Sequence, residues 1–229
     1  MSIILTTNEI EQIKQNKCIG KGSFANLYEY DDKVIKLFKG RLDGEEKRLI
    51  KALQKENIEN FIFPEEIVRD FFRFMIGYTE EKINGITLRK LFTLLYRDKY
   101  NDITINDFVK KYDQIKPSIC ELSNKKIVMF DAHDENIMYN GYFNFVDTDL
   151  YYRDRISFAS WIYNKNLNEA GRNIMDTMNI LNRNLTSDIE RNLKKNIYDP
   201  DYFERFIDVL DKKYSDVDTL IKFKNKKIR

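Results

Sequence analysis

Apolar and polar residues alternate through much of the first third of the chain, and this pattern predicts β-strands. Residues 18–30 (CIGKGSFANLYEY) contain two apolar stretches around a glycine-containing turn, which is typical of a hairpin. Residues 33–38 (KVIKLF) predict a third strand. Residues 65–70 (EEIVRD) and 71–83 (FFRFMIGYTEEKI) predict two more, around a turn at Arg69 and Asp70. The N-terminal part of the chain is therefore expected to be mostly β.

Helical periodicity occurs once in this part and dominates the rest of the chain. Residues 44–57 (GEEKRLIKALQKEN) are good helix formers with apolar residues at helical spacing. Residues 87–98 (TLRKLFTLLYRD) predict a second helix, and residues 104–123 a third, which Pro117 should kink or split. Beyond residue 156, three or four helices are expected, in the segments SFASWIYN, AGRNIMDTMNILNR, SDIERNLKKN and PDYFERFIDVLDKKY.

A strand–loop–strand pattern between residues 127 and 149 interrupts the helical part. The pair Asn140–Gly141 between apolar runs is the strongest short signal for a hairpin. The whole pattern predicts an α+β fold with two lobes that form one domain. The small β-rich lobe comprises residues 1–83, and the α-helical lobe comprises residues 84–229.

The amino-acid composition limits the kinds of partner, metal site and cellular location that can be expected for this protein. Of 229 residues, 42% are hydrophobic, which is enough to bury a core, and the net charge of +2 gives no argument for nucleic acid or membrane as a partner. Two cysteines and one histidine are too few for a disulfide framework or a histidine-rich zinc site. The N-terminus lacks the pattern of a secretory signal, and no window approaches the roughly 20 apolar residues of a membrane helix. We therefore expect a cytoplasmic protein.

The turn of the first hairpin is a candidate phosphate-binding loop. Gly20 and Gly22 lie on the strand–turn–strand, and Ser23 and Phe24 form its tip. Glycines allow backbone N–H groups to approach phosphate oxygens closely. The alternative is a hairpin without a ligand, which is the commoner case for such a pattern.

Lys36, near the end of the predicted third strand, is a candidate for phosphate binding. A lysine on a buried strand is costly unless its ammonium group has anionic partners. The helix that follows offers Glu45 and Glu46, either of which could pair with it. The alternative is a surface lysine on an edge strand.

Asp131, Asn136 and Asp147 form the third group. A hairpin brings its ends together, so Asn136 and Asp147 are expected to be neighbours. Carboxylate and amide oxygens suit Mg²⁺, which binds one or two carboxylates together with phosphate oxygens. Asp131 would lie beside them and accept a proton from a hydroxyl group. The alternative is that these residues only form turns.

In this order, the motifs resemble those of the protein kinase superfamily over residues 19–149. IGKGSFANLYEY resembles the glycine-rich loop, with Ala25 in the place of the third glycine, and KVIK resembles the strand V-A-I-K. The segments EEKRLIKAL, EKINGITL and NKKIVMFDAHDENIMY resemble the C-helix, the hinge and the catalytic loop, and FVDTD takes the place of D-F-G.

The resemblance implies a two-lobed protein-kinase-like fold, a single kinase domain, with ATP and Mg²⁺ as cofactors. Lys36 would bind the α- and β-phosphates, held by Glu46 or Glu45, and Asp131 would be the catalytic base. Asn136 and Asp147 would hold Mg²⁺. The positions that would surround the nucleotide are Gly20, Gly22, Ser23, Ala25, Glu81 and Ile83.

Several positions differ from the kinase pattern. Met129 and Phe130 replace the His and Arg of H-R-D, and Thr148 and Asp149 replace the Phe and Gly of D-F-G. No A-P-E motif is present, and the segment RDRISFASWIY begins within eight residues of Asp147, so the activation segment is expected to be very short. The segment DAHDEN also fits D-x-H-x-x-N, which resembles aminoglycoside and choline phosphotransferases.

The expected function is a minimal Ser/Thr-type protein kinase that transfers the γ-phosphate of ATP to a hydroxyl group of a protein. One alternative is a kinase for cationic small molecules, attracted by an acidic pocket of Asp131, Asp134, Glu135 and Asp149. Another is a pseudokinase that serves as a binding module. His133 is expected to act as a protonated electrostatic stabiliser; alternatively, its ring only hydrogen-bonds a backbone carbonyl and so shapes the loop.

Overall fold

The structure, a computed structural model, describes residues 2–96 and 105–181. The chain divides into two compact units. The first comprises Met1–Asn84 and Val146–Tyr151, and the second comprises Gly85–Phe145 and Tyr152–Arg229. The N-terminal unit thus ends one residue beyond the expected boundary, and it also includes a short segment that the sequence pattern assigned to the other lobe.

A six-stranded mixed sheet forms the centre of the first unit. Its strands are β1 (Ser2–Ile4), β2 (Cys18–Lys21), β3 (Ala25–Tyr30), β4 (Lys33–Phe38), β5 (Glu66–Arg69) and β6 (Met75–Glu81), in the order β1-β5-β6-β4-β3-β2. Neighbouring strands are antiparallel except β1 and β5, which are parallel. The hairpin and the other three predicted strands are confirmed, whereas β1 was not predicted.

Two helices of the first unit begin with reciprocal capping. Helix α1 (Thr7–Gln15) follows Thr6, whose hydroxyl accepts from the Glu9 N–H while Glu9 accepts from the Thr6 N–H. Helix α2 (Gly44–Leu53) begins with the same arrangement. Helix α2 was predicted. Helix α1 was not, although the spacing Thr6-x-x-Glu9 is the sequence signal of such a start.

The two faces of this sheet pack against different hydrophobic clusters. The first cluster contains Ile13 of α1 and, from β4, Ile35 and Leu37. The second contains Ile50 of α2 together with Tyr78 of β6. Because successive side chains of a strand point to opposite faces, Lys36 lies on the face opposite Ile35 and Leu37. Lys36 is therefore buried on the α2 side of the sheet.

The second unit is mainly helical in its described part. Its helices are α3 (Leu88–Tyr96), α4 (Ile105–Asn124) and α5 (Ala159–Leu181). Its short strands are β7 (Ile86–Thr87), β8 (Ile127–Val128), β9 (Ile137–Tyr139), β10 (Phe143–Phe145) and β11 (Tyr152–Arg153), which pair as β10-β9-β7 and β11-β8. The hairpin at Asn140–Gly141 is confirmed, since Tyr139 pairs with Phe143.

One prediction about helices was wrong, and another is answered only in part. Pro117 lies inside α4, which continues on both sides of it, so the proline does not split the helix, and the expected kink stays a prediction. Helix α5 joins two segments that were expected to form separate helices, and Ile162, Leu167 and Ala170 along it are all buried. The last two predicted helices, SDIERNLKKN and PDYFERFIDVLDKKY, lie outside the described residues.

The architecture is α+β, with a mixed sheet near the N-terminus and helices later in the chain. This arrangement is compatible with the expected two-lobed fold. Within residues 2–96 and 105–181, no helix is long and apolar enough to cross a membrane.

Candidate functional site

The buried side chain of Lys36 has two carboxylate partners. Its Nζ donates to Oδ2 of Asp149 at 2.9 Å and also forms an ion pair with Asp147. The ring of Tyr78 lies beside it, with its centroid 5.5 Å from Nζ. Burial alone would lower the pKa of Lys36, but the carboxylates of Asp149 and Asp147 outweigh this effect and raise it. The ammonium group therefore stays charged in a buried position.

These partners differ from the predicted ones. The Glu46 carboxylate accepts from the Asp43 N–H at 2.7 Å, and Asp43 accepts from the N–H groups of Glu45 and Glu46. Glu46 thus satisfies the first turn of α2 instead of pairing with Lys36. Within the described part of the chain, the ion pairs of Lys36 are those with Asp147 and Asp149. The predicted pairing with Glu46 or Glu45 is corrected accordingly.

A tight turn presents both aspartates to Lys36. Asp147 adopts a left-handed conformation, with φ of 59°, and begins a short 3-10 helix, Thr148–Leu150. The Thr148 hydroxyl between them is buried and donates to the Ile62 carbonyl at 2.7 Å. Burial raises the pKa of Asp149, and the charge of Asp147 adds to this, while Lys36 opposes it. Two carboxylates share one ammonium group, and of the two only the Asp147 side chain, which is 35% exposed, is readily accessible to water.

Glu80 is an acidic residue of this cluster that the sequence analysis missed. In the β4–β6 ladder, Lys36 is opposite Tyr78 and Val34 is opposite Glu80, so Glu80 is a diagonal neighbour of Lys36 on the same face. Glu80 is 4% exposed, and its Oε2 has no hydrogen-bond partner among the described residues. Burial raises its pKa to about 8, although Lys36 acts in the opposite direction. Glu80 is therefore largely protonated at neutral pH.

Gly77 allows β6 to approach β4 beside Lys36. A Cβ atom at this position would lie 2.1 Å from the Lys36 carbonyl oxygen, which is backbone and cannot move aside cheaply. Any side chain here would displace one of the two strands. The sequence offered no signal for this requirement, because it depends on which strands are neighbours.

The predicted phosphate-binding turn is formed, but part of its backbone is already paired. Gly20 pairs with Leu27 across β2 and β3, and the Gly22 N–H donates to the Ala25 carbonyl at 2.9 Å. Ser23 is exposed at the turn, while Ala25 is 2% exposed. In this arrangement the Gly22 N–H is not available for a phosphate. A Cβ at Gly20 would meet only the Leu27 side chain, at 3.5 Å, so packing does not require glycine there.

The predicted hinge residues follow the cluster along the chain. Glu81 ends β6 opposite Lys33 and is exposed, and Ile83 is half-buried just beyond the strand. Lys82 between them pairs with Glu29 at 3.1 Å.

In the second unit, the loop between β8 and β9 brings Asp131 and Asn136 together. The Asn136 side-chain amide donates to the Asp131 carbonyl at 2.9 Å, and the Asn136 N–H donates to the His133 carbonyl at 2.8 Å. Asp131 has a left-handed φ of 58°, which aspartate tolerates better than most residues. Its side chain is 45% exposed and is thus open to a proton-transfer partner.

His133 contacts the backbone of its own loop, although through an N–H group and not through the carbonyl that the alternative named. Its Nδ1 accepts a hydrogen bond from the Glu135 N–H at 3.2 Å, which requires an Nδ1 without a proton. Its Nε2 lies 3.9 Å from the Asp131 carboxylate, beyond hydrogen-bond distance. This geometry disagrees with the expected protonated stabiliser.

The acidic side chains next to His133 are paired with an arginine. Arg89 at the start of α3 donates to both carboxylate oxygens of Asp134 at 2.9 Å and to Glu135 at 2.5 Å. The hydrogen bond with Asp134 raises the pKa of Arg89. Asp134 and Glu135 therefore do not form the free acidic pocket that was expected to attract a cationic substrate.

Asn166 of α5 anchors the chain just before Asp131. Its Oδ1 accepts from the Met129 N–H at 2.7 Å, and its amide donates to the Ile127 carbonyl at 2.9 Å and to the Ser123 hydroxyl at 3.0 Å. The side chain is fully buried. A lone asparagine in a helical segment gave no indication of this role.

The candidate metal ligands Asn136 and Asp147 belong to different units, and their pairing stays a prediction. Within the first unit, Asp147 and Asp149 both pair with the Lys36 ammonium group. Two such carboxylates also suit Mg²⁺, whose remaining ligands would be phosphate oxygens and water. Among the described residues, no group of three or more His, Cys, Asp or Glu side chains could hold a metal ion.

Comparison of the chain with models of known protein families and with curated proteins gives no match. The resemblance to protein kinases therefore rests on the motifs alone.

Proposed function

We propose that this chain is an ATP- and Mg²⁺-dependent phosphotransferase with a protein-kinase-like fold, which transfers the γ-phosphate of ATP to a protein hydroxyl group. The observation that carries the proposal is the buried Lys36 ammonium with the carboxylates of Asp147 and Asp149. Lys36 lies on the sheet that carries the glycine-containing turn, and the two aspartates come from a distant segment of the chain. A lysine and two aspartates are the groups needed to bind a magnesium–phosphate complex.

The proposed roles follow from the charges. Lys36 binds phosphate oxygens, and Asp147 and Asp149 hold Mg²⁺, which neutralises phosphate charge when bound. Without the nucleotide the two carboxylates share the Lys36 ammonium group, and with it Mg²⁺ and the phosphate oxygens would supply further counter-ions, which lowers the cost of burying these charges. Asp131 accepts the proton of the acceptor hydroxyl group, a role for which its exposed carboxylate is suited. Asn136 supports the backbone at Asp131.

The acceptor is a protein in this proposal. A cationic small molecule would need free carboxylates near Asp131, but Arg89 already pairs with both Asp134 and Glu135, which leaves less negative charge there to attract it. A negative charge that already has a cation partner attracts a second cation only weakly.

A binding module without catalysis is the second candidate, and one observation favours it. Lys36, Asp147 and Asp149 satisfy one another without any ligand, as they would in a purely structural ion-pair cluster. Nucleotide binding without phosphate transfer is the expected behaviour of such a module.

The decisive experiment follows the label from [γ-³²P]ATP. The purified chain is incubated with Mg²⁺ alone, with generic protein acceptors, and with a panel of aminoglycosides and amino alcohols. Label on protein supports the proposal, label on a small molecule supports the alternative acceptor class, and nucleotide binding without transfer supports the binding module. If ATP neither binds nor reacts, all three functions are wrong.

Two variants connect any activity with the proposed residues. Asp131→Asn should lower kcat by at least about a hundredfold with little change in nucleotide binding, because a general base contributes on that order. Asp147→Asn should abolish Mg²⁺-dependent turnover, because the metal loses a carboxylate ligand. Lys33→Met, at the half-buried start of the strand that contains Lys36, is the matched control and should be fully active.

A further inference from the structure

The turn between β5 and β6 exposes three phenylalanines. Phe71, Phe72 and Phe74 are 71%, 75% and 50% exposed. We name residues 70–74 the phenylalanine turn. Scattered single apolar residues on a surface are ordinary, but three phenyl rings within four consecutive residues form a local patch.

Hydrogen bonds hold the phenylalanine turn in a defined shape. Asp70 and Phe74 exchange bonds: the Asp70 N–H donates to the Phe74 carbonyl at 3.0 Å, and the Phe74 N–H donates to the Asp70 carboxylate at 2.8 Å. Arg73 has a left-handed φ of 65°, and its carbonyl accepts from the Arg69 guanidinium at 2.9 Å. The turn thus keeps the rings outside the core at some cost in backbone strain.

Strand register brings further apolar and basic residues to this end of the sheet. Ala25 pairs with Phe38, and Leu37 pairs with Gly77. The β2–β3 turn, the end of β4 and the phenylalanine turn therefore lie at the same end of the sheet. Phe24 in the β2–β3 turn is 74% exposed. Just after β4, the guanidinium of Arg41 stacks on Phe74 at 4.9 Å.

We propose that this end of the sheet docks reversibly on an anionic lipid surface. Aromatic rings are enriched at the headgroup level of bilayers, and basic side chains are attracted to anionic lipids. The cations at the patch are Lys39, Arg41 and Arg73, while the Asp70 carboxylate is turned to the Phe74 N–H. The net charge of +2 for the whole chain does not reveal this local excess of positive charge.

The size of the patch favours a lipid surface over a second protein. The three phenylalanines of the turn and Phe24 offer together roughly 400–650 Å² of apolar surface at these exposures, less than the about 800 Å² that each partner contributes to a stable protein interface. Shallow insertion of a few rings together with charge attraction is instead sufficient for reversible membrane binding. The absence of a spanning helix among the described residues does not conflict with peripheral contact.

The test is sedimentation of the full chain with sucrose-loaded vesicles of phosphatidylcholine alone or with 30% phosphatidylserine. The unmodified chain should bind the anionic vesicles at least about tenfold more strongly, and 0.5 M NaCl should remove most of this preference. Phe71→Ser/Phe72→Ser should reduce binding about tenfold or more, because two inserted rings are lost. Equal sedimentation with both vesicle types would overturn the proposal.

Ile156→Ser/Phe158→Ser is the matched control, since these two side chains are 96% and 81% exposed in the second unit. It should leave vesicle binding unchanged, and a loss equal to that of the phenylalanine pair would contradict a specific patch. If the phenylalanine variant loses its fold by circular dichroism, Arg41→Gln/Arg73→Gln takes its place, with about a tenfold loss expected. Self-association by sedimentation velocity that Phe71→Ser/Phe72→Ser removes, without vesicle binding, would assign the patch to a second copy instead.

Discussion

The two units position aspartates in opposite ways. In the first, Asp147 and Asp149 are held by a buried lysine, and the acid Glu80 lies beside them. In the second, the loop that contains Asp131 is held through neutral amides, and the carboxylate itself is 45% exposed. Buried charges depend strongly on one another, whereas an exposed charge on a backbone-held loop does not. Substitutions in the first cluster should therefore change stability and pH dependence, and substitutions at Asp131 should change chemistry alone.

The largest expected effect is that of Lys36→Met. It leaves the largely buried Asp149 carboxylate and the partly exposed Asp147 carboxylate without a cation. Because breaking the buried pair with Asp149 is costly, the first unit should lose about 3–5 kcal/mol of unfolding free energy in urea titrations at pH 7. The control Lys33→Met removes only partly exposed ion pairs with Glu65 and Glu66 and should cost under about 1 kcal/mol. Equal losses of unfolding free energy in the two variants would mean that the buried ion pairs of Lys36 stabilise the fold no more than the partly exposed ion pairs of Lys33.

Asn166→Ala should have the next largest effect. It leaves the buried Met129 N–H and Ile127 carbonyl without partners, and the expected loss is about 2–4 kcal/mol in the same titrations. Asn173→Ala on the same helix is the control, because Asn173 is only half-buried and bonds to Glu169 one turn away. If both variants lose the same amount, the anchoring of the Asp131 loop by Asn166 is wrong.

Glu80→Gln should change the pH dependence of stability. The carboxyl of Glu80 ionises near 4.5 when unfolded and at about 8 when folded, so its stabilising contribution is complete below pH 4.5 and is lost as pH rises to about 8. The unmodified chain should lose up to about 1.4 kcal/mol per pH unit over this range relative to the variant. Thermal unfolding at half-unit pH steps checks this. Parallel profiles for the two proteins would show that Glu80 is ionised in the folded state.

His133 should give the smallest effect. Since its Nδ1 accepts a backbone hydrogen bond, His133→Ala should cost about 0.5–1.5 kcal/mol, and His133→Lys should not restore what is lost, because lysine cannot accept. Any phosphotransferase activity should fall equally in both variants. A lysine variant with nearly full activity would favour the charged role that the sequence suggested.

The sequence alone determined the local elements. Alternation predicted β2 to β6, helical spacing predicted α2 and α3, and Asn140–Gly141 predicted the hairpin, because the signals of these elements lie within a few residues. It also grouped Asp131 with Asn136, which one short loop connects. The three-residue strand β1 is too short for a periodic signal, and helix α1 is indicated by the capping signal at Thr6 and Glu9 and not by the patterns that predicted the other elements.

Only the tertiary structure decided the partners of the buried charges. Lys36 and Asp149 are 113 positions apart. Nothing local in the sequence distinguishes Asp149 from Glu45 and Glu46 as a partner of Lys36. Strand register determined that Glu80 and Tyr78 lie beside Lys36 and that Gly77 has no room for a side chain. The physical reason is that the free energy of a charge depends on what surrounds it after folding, and long-range packing sets those surroundings.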